Sequence, residues 1–425
     1  MPKIPRMLMV MAVILTTVVL IVVFFPYQEE QKSPFYWPEV QGNPERTGYL
    51  NYPPPSSNAS LWEQTILLHT QSDPESGQDI SSCIGDGKVF VGVSENIRAY
   101  DLFDGSVAWT RPGFIVQNSF SLAAGFVFVG RESAVTALRQ NDGSTAWSTD
   151  VRDSTQETRR VNPPLYFEGK VFASLDLWSD FPSLHIEGMK VVCLDALSGS
   201  LQWAKILNGS TRLSYCAASN EHLYFADQSK LICIKAQNGD IVWSQDCGVS
   251  LRSPVISGNN VLISTDNGLK CYATSDGTKN WEYAGSFWHT SICIRSNVAY
   301  GIVPKTIATG YDWSQSRMVA IDVATGSEVW SKSFSTYNTV DAPSPLIVIG
   351  DKLIAAIGKE VRAYNVPSGD IDWVHRFNDT RVAWTYLAGA EKTVIVITEG
   401  TYGSGAAATY FIKVHAIGEG APVIE

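Results

Sequence analysis

The sequence predicts an all-β fold, an eight-bladed β-propeller of four-stranded blades, preceded by an N-terminal transmembrane helix. The first observation behind this prediction is a repeat of about 40 residues, a period typical of ring-shaped or stacked architectures. In each of seven copies, a Gly is followed four residues later by a Trp. The pairs are Gly105 and Trp109, Gly143 and Trp147, Gly199 and Trp203, Gly239 and Trp243, Gly277 and Trp281, Gly326 and Trp330, and Gly369 and Trp373.

The second observation is that each copy divides into four short strands separated by turn residues. The division is clearest between Pro254 and Trp281, where Gly258–Asn259 and Ser275–Gly277 are turns between β-rich runs. Short apolar runs interrupted by Gly, Asn and Asp are typical of hairpins, since Gly readily adopts a positive φ. Four strands per repeat are typical of one propeller blade.

The third observation concerns the two ends of the chain. Leu61–Glu63 contains Trp62, an eighth copy of the Trp strand that lacks the three strands before it. Near the C-terminus, three strands occur without a Trp strand after them: Tyr386–Ala388, Val394–Ile397 and Phe411–Val414. The N-terminal strand is therefore predicted to complete the C-terminal blade, which closes the ring and removes its two free sheet edges.

Two copies of the repeat carry a resemblance to a known family. Ala320–Trp330 and Val192–Trp203 resemble the repeat of pyrroloquinoline quinone (PQQ) dehydrogenase-type propellers, and Trp37–Gly48 resembles that family's lead-in segment. No Trp in the chain is followed by Asp, which argues against the Trp-Asp repeat family. The resemblance implies that the repeat Trp packs between neighbouring blades, where a large indole with one N–H donor is suitable. The structural blade residues are then Trp62, Trp109, Trp147, Trp203, Trp243, Trp281, Trp330 and Trp373.

The N-terminus predicts a membrane anchor. Met7–Phe25 is apolar apart from two Thr, and it follows Lys3 and Arg6. This length can cross a hydrocarbon core of about 30 Å, and the positive flank places the propeller on the extracytoplasmic side. The alternative is a cleaved signal peptide, which usually has a shorter apolar region. The predicted domains are residues 1–27 as anchor or signal segment, 28–60 as extended tether and lead-in segment, and 61–425 as propeller.

The seven Cys predict no metal or redox site. Cys193, Cys233 and Cys271 occupy the third-strand position that holds Ala in four other copies, and Cys83, Cys216 and Cys293 lie on first strands. They are predicted to be small buried residues too far apart for disulfides. Cys247 follows a Trp strand, and no CxxC motif occurs.

The connections between strands differ between the two ends of the ring. Three connections between second and third strands are long, residues 176–188, 304–317 and 399–409, and the connection between blades at 149–162 is also extended. Long loops on one face favour a binding function there, although surface loops also tolerate drift. The residues that precede the first strands are predicted to surround the channel mouth on this face. The candidate binding residues are Arg212, Arg252, Trp288, His289, Asp341 and Trp384; alternatively, they only fill a narrow funnel.

The net charge limits the classes of partner, and the sequons give candidate glycosylation sites. The net charge of −10 argues against a nucleic-acid partner, which needs a basic face. Three sequons give candidate N-glycosylation sites at Asn58, Asn208 and Asn378. The expected partners are a protein or a cell-envelope component, together with the membrane through the N-terminal helix.

The resemblance leaves two classes of function. PQQ-dependent dehydrogenases hold the quinone beside adjacent cysteines, with a metal bound by acidic and amide groups. This chain has no adjacent Cys pair, and Asp341 is the one acid among the candidate mouth residues, a poor site for a hard cation. The sequence therefore favours the non-catalytic, BamB-like branch: a membrane-anchored scaffold with no cofactor and no metal. The alternative is a PQQ-dependent dehydrogenase with quinone in the channel.

Overall fold

The computed structural model describes residues 37–38, 41–68, 81–93, 96–112, 120–131, 133–152, 157–179, 185–208, 216–227, 229–248, 252–287, 292–307, 310–334, 344–378, 382–402 and 409–419. The chain separates into a unit of residues 1–34, which lies outside these ranges, and a unit of residues 35–425. Within the described ranges all regular secondary structure is β. The predicted anchor, Met7–Phe25, is not described, and no helix of the described part is long and apolar enough to cross a membrane.

The described unit is an eight-bladed β-propeller in which the strands of each blade follow one another from the centre outwards. Blade 1 contains β3 (Ser81–Gly85), β4 (Lys88–Val93), β5 (Asn96–Asp101) and β6 (Val107–Pro112). Blade 2 contains β7 (Ser121–Ala123), β8 (Phe126–Arg131), β9 (Ala134–Arg139) and β10 (Thr145–Asp150). Blade 3 contains β12 (Leu165–Phe167), β13 (Lys170–Ser179), β14 (His185–Asp195) and β15 (Leu201–Asn208), with β11 (Glu157–Val161) beside β13. Blade 4 contains β16 (Ala217–Ser219), β17 (His222–Asp227), β18 (Lys230–Lys235) and β19 (Ile241–Asp246).

The second half of the ring repeats this order. Blade 5 contains β20 (Val255–Ser257), β21 (Asn260–Ser264), β22 (Gly268–Ala273) and β23 (Lys279–Ala284). Blade 6 contains β24 (Cys293–Arg295), β25 (Val298–Ile307), β26 (Gly310–Asp322) and β27 (Glu328–Phe334). Blade 7 contains β28 (Ile347–Ile349), β29 (Lys352–Ile357), β30 (Glu360–Asn365) and β31 (Ile371–Arg376), with β1 (Tyr49–Leu50) parallel to β28. Blade 8 contains β32 (Val382–Ala390), β33 (Thr393–Tyr402), β34 (Thr409–Gly418) and, outermost, β2 (Ser60–Leu68).

Each repeat Trp joins its blade to the next one. A β-bulge precedes every Trp in the outer strand, and such a bulge re-aims the side chain that follows. The indole Nε1 donates to a backbone carbonyl of the following blade at 2.9–3.1 Å. The acceptors, for Trp62 onward in chain order, are Leu102, Gln140, Ala196, Ala236, Thr274, Val323 and Val366, and for Trp373 the acceptor is Pro55.

The repeat Gly contacts the Trp of the preceding copy rather than its own. Gly277 has a φ of +74°, and a Cβ there would lie 2.7 Å from the Trp243 ring. In all seven copies the corresponding distance is 2.5–2.8 Å. The position therefore requires Gly twice, for the left-handed backbone and for the space that the indole occupies. Trp373 has no such Gly, because the chain ends interrupt the next blade and the lead-in supplies Pro55 instead.

A small residue pairs with every Trp across the strand. Cys193, Cys233 and Cys271 pair with Trp203, Trp243 and Trp281, and Ala99, Ala137, Ala320, Ala363 and Ala416 have the same place in the other blades. All seven Cys are buried and form no disulfide. Burial raises the pKa of the Cys193 thiol to about 11 and those of Cys233 and Cys271 to about 12, so these are inert packing residues.

The ring closes where the two chain ends meet. β2 pairs antiparallel with β34, from Ser60 opposite Ile417 to Leu68 opposite Tyr410, and β32 contacts β3 of blade 1. The side chains of this joint include Trp62, Ile66, Ile412 and Val414, and they belong to a core cluster that spans blades 7, 8 and 1. The closed sheet leaves no free edge at the junction of first and last blades.

The long connections predicted as loops are mostly hairpin, which corrects the sequence-based prediction. The β13–β14 ladder reaches Ser179 opposite His185, the β25–β26 ladder reaches Ile307 opposite Gly310, and the β33–β34 ladder reaches Tyr402 opposite Thr409. The predicted inter-blade loop at 149–162 contains β11, which pairs with β13. Hairpin pairing satisfies backbone groups that a loop would leave to water. We call this end of the ring the long-hairpin face.

Candidate functional site

The lead-in segment, Trp37–Gly48, contacts the inner strands of the ring at the end opposite the long-hairpin face. Its backbone carbonyls accept hydrogen bonds of 2.6–2.9 Å from the inner strands of six blades. The donors are the N–H groups of Ile84, Leu122, Ala218, Ile256, Ile294 and Val348, and the acceptors are the carbonyls of Trp37, Pro38, Pro44, Glu45, Thr47 and Gly48. Each donor is the penultimate residue of its inner strand, next to the turn into the second strand. The acceptors follow the order of the blades around the ring, so the described part of the segment runs along the inner strands at this end.

The lead-in is packed rather than solvated. Trp37 is 1% exposed, and Gln41 and Arg46 are 5% exposed although both are polar. Gln41 donates from Nε2 to the carbonyl of Ile292 at 3.2 Å, which ties the segment to blade 6. Gln41 and Arg46 have positive φ values of 66° and 62°, a strained backbone that persists where surrounding contacts hold it. The described part of the predicted tether and lead-in segment, residues 37–38 and 41–60, is thus packed against the ring.

The structure describes few of the predicted channel-mouth residues. Arg212, Trp288, His289 and Asp341 fall outside the described residues, and for Trp384 only the backbone, in β32, is described. Arg252 is exposed, and its N–H donates to the carbonyl of Ser264 at 3.0 Å, just before β20. The grouping of these six side chains around one mouth stays a prediction.

The described residues do not fit a metal-dependent quinone cofactor. Within the ranges given above, no three His, Cys, Asp or Glu side chains are grouped so that they could hold a metal ion. No two Cys are adjacent in the sequence, and the lead-in carbonyls occupy the inner edges at one end of the centre.

Glu399 is a polar residue of the long-hairpin face that the sequence did not single out. It lies on β33 in register with Trp384 of β32 and Ile412 of β34, and Ile66 of β2 follows in the same row. Ile66 and Ile412 are 4% and 0% exposed, so the carboxyl lies in apolar surroundings. Burial raises the pKa of the Glu399 carboxyl to about 7, and no neighbouring charge offsets it. The sequence placed Glu399 at the start of a loop, so its position on a strand between β32 and β34 was not predicted.

The three sequons differ in accessibility. Asn378 is exposed two residues after the end of β31, and Asn58 is exposed while its Nδ2 donates to the carbonyl of Val374 at 2.6 Å. Asn208 is the last residue of β15, where its backbone pairs with Gly188. Asn58 and Asn378 thus flank the same outer strand, β31. Glycosylation of any of them stays a prediction.

The ring of Gly–Trp repeats, the closure by β2 and the lead-in along the inner strands define the chain as a propeller of the PQQ-repeat class. A family model described as outer membrane protein assembly factor BamB matches residues 55–149 and 187–402, which is more than half of the chain. The chain therefore belongs to this family.

Individual relatives are more distant. BamB of Yersinia pestis is 26% identical over 205 residues, a match that covers 43% of this chain and 51% of that protein, about half its length. Among solved structures, BamB from Moraxella catarrhalis has a TM-score of 0.55 at 15% identity, covering 82% of this chain and 96% of that one. A europium-containing methanol dehydrogenase has a TM-score of 0.59 at 11% identity, covering 90% and 98% respectively. Sqt1 of Saccharomyces cerevisiae has a TM-score of 0.58 at 13% identity, covering 84% and 98%. At such identities, the structural likeness shows the fold alone.

Proposed function

We propose that this protein is a membrane-anchored, extracytoplasmic propeller that acts as a non-catalytic scaffold and binds a protein partner through its long-hairpin face. The observation that carries the proposal is the difference between the two ends of the ring. One end has three extended hairpins, with strands of 10 to 13 residues, while most second strands elsewhere have six. At the other end the lead-in occupies the ends of six inner strands.

Extended hairpins on a rigid ring favour recognition of a partner over chemistry. Each hairpin extends two strands that are paired along their length within a blade. Its position is therefore set by the blade before a partner binds. Preorganised surfaces lose less conformational entropy on association. Membership of the BamB family supports a protein partner, because that family is described as an assembly factor.

The anchor and the location of the propeller rest on the N-terminal sequence. Met7–Phe25 is long enough to span a bilayer, and Lys3 and Arg6 favour a cytoplasmic N-terminus. Extraction of membranes with alkaline carbonate tests this part. An anchored chain stays in the membrane pellet, whereas release into the supernatant would contradict the anchor and leave only a cleaved signal peptide.

The binding function is tested with the full chain in detergent-solubilised membranes. A tagged chain is expected to retain a stoichiometric protein, and joint substitution of Arg252, Trp288 and Trp384 by Ala should weaken its retention with little change in melting. Lys235→Ala is the matched control, since Lys235 is an exposed residue at the end of β18, on the opposite end of the ring. Normal retention by the triple variant would move the binding site away from the channel mouth.

A further inference from the structure

One position of the repeat places a basic side chain between two blades. It lies on the third strand, three residues before the strand's end, and it holds Arg98 in blade 1, Lys270 in blade 5, Arg362 in blade 7 and His415 in blade 8. In each blade the residue faces the preceding blade. Arg98 is an example, because Ile97 and Ala99 belong to the cluster shared with blade 2, whereas Tyr100 stacks on Trp62 of blade 8 at 6.4 Å.

Three of these four basic groups have a carboxylate partner. Lys270 lies 4.0 Å from Glu282, its cross-strand neighbour. Arg362 pairs with Glu360, two residues earlier on the same strand, at 2.7 Å. His415 lies 3.2 Å from Glu63, again the cross-strand neighbour. The repeat thus offers two positions for the carboxylate, one across the strand and one two residues before the basic group.

Arg98 has neither carboxylate. Its cross-strand neighbour is Thr110, and the residue two positions before it is Asn96. Arg98 Nε is buried and makes no hydrogen bond, and the hydroxyl of Tyr100, which is 1% exposed, makes none either. Burial raises the pKa of the Tyr100 hydroxyl, and the nearby Arg98 charge offsets only part of this rise. Within the described ranges, therefore, no acidic side chain forms an ion pair with this guanidinium.

We infer that Arg98 binds a carboxylate that does not belong to this chain, at a site between blades 8 and 1. A half-buried guanidinium loses part of its hydration, and a carboxylate is the group that its planar fork accommodates best. The Tyr100 hydroxyl adds a second donor beside it. The carboxylate belongs either to an acidic side chain of a protein or to a small dicarboxylate. This site is distinct from the long-hairpin face, and it stands whether or not that face binds a partner.

The test measures binding of a fluorescent tetraglutamate peptide to the full chain in detergent, with tetraglutamine as the uncharged control peptide. The protein's net charge of −10 opposes non-specific binding of an anion, so Arg98-dependent binding is readily detected. Arg98→Gln should lower the affinity at least tenfold, whereas Arg139→Gln, at an exposed Arg of blade 2, should leave it unchanged.

A second variant supplies the missing carboxylate within the chain. Thr110→Glu places an acid where Glu282 lies opposite Lys270, so it should reduce peptide binding as much as Arg98→Gln does and raise the melting temperature. A merely structural role for Arg98 predicts no such pair of effects. Displacement of the peptide by glutarate at equal carboxylate concentration identifies a small dicarboxylate as the natural source, and resistance to it identifies an acidic segment.

Three results would overturn the inference. The first is wild-type peptide affinity in Arg98→Gln, and the second is wild-type affinity in Thr110→Glu. The third involves Glu95, which lies outside the described residues beside Asn96. A tenfold gain of peptide affinity in Glu95→Gln would show that the chain itself provides the carboxylate.

Discussion

Replacing Glu399 with Gln should change the way the stability of the ring depends on pH. Burial raises the pKa of this carboxyl from 4.5 to about 7, so the folded state keeps its proton where the unfolded state loses it. Ionising this carboxyl costs more free energy in the folded state than in the unfolded state. This loss of stability is absent below pH 4.5, grows as the pH rises and is complete above about 7. At about 1.4 kcal/mol per pH unit, the difference amounts to about 3 kcal/mol. Gln cannot ionise, so the variant avoids this cost.

Urea unfolding of both proteins between pH 4.5 and 8.5 measures the effect. The two free energies of unfolding should nearly coincide at pH 4.5, and the variant should be more stable by up to about 3 kcal/mol at pH 8.5. Glu168→Gln is the control, because Glu168 is exposed in the turn before β13 and is solvated in both states. If the curves of Glu399→Gln and wild type run parallel across this range, Glu399 is not buried as described.

Three further predictions concern the blade contacts, the closure and the cofactor. Trp243→Ala should destabilise the ring by roughly 3–5 kcal/mol in thermal or urea unfolding. Trp243→Phe, which loses mainly the hydrogen bond to the Thr274 carbonyl, should cost about 1 kcal/mol. Equal losses for the two variants would contradict the packing role. Deleting residues 60–68 should abolish cooperative melting, whereas deleting 28–33 should leave it intact, and an unshifted melt after the first deletion would show that β2 does not close the ring. Added PQQ and calcium should leave no quinone absorbance after desalting and give no alcohol-dependent dye reduction, because the described residues offer no grouped metal ligands; retained quinone with turnover would establish the dehydrogenase alternative.

The fold could be predicted because its determinants are local in the sequence. The spacing of Gly277 and Trp281 recurs in seven copies, and each copy satisfies the same bulge, turn and indole hydrogen bond. The small residues opposite the Trp follow from the same alignment, as Cys271 does opposite Trp281. An incomplete copy at Trp62 was enough to predict the closure, since a strand without partners needs three more.

The site was less predictable because its determinants are not local. The lead-in is held by backbone carbonyls, which every residue has, so its Pro-rich sequence predicted a tether rather than a segment along the inner strands. Lys305 and Asp312 are polar residues of the kind found in exposed loops. In the structure they are cross-strand neighbours in the β25–β26 hairpin, where each strand supplies the other's hydrogen bonds. Glu399 resembles any loop acid until the pairing of β33 with β34 places it beside the buried Ile412.

The pairing of β2 with β34 also delays completion of the fold until the last strand has been synthesised. Trp62 must wait for Ala416, which the ribosome adds 354 residues later. At about 5–20 residues per second, synthesis of this stretch takes roughly 20–70 s, and during this time β2 has no partner strand. The lead-in waits as well, since its carbonyls accept hydrogen bonds from six blades, the last of which is blade 7. Such non-local contacts slow folding and expose apolar edges. The nascent chain is thus most vulnerable to aggregation at its first strand, and a factor that shields residues 37–68 until release would protect the whole ring.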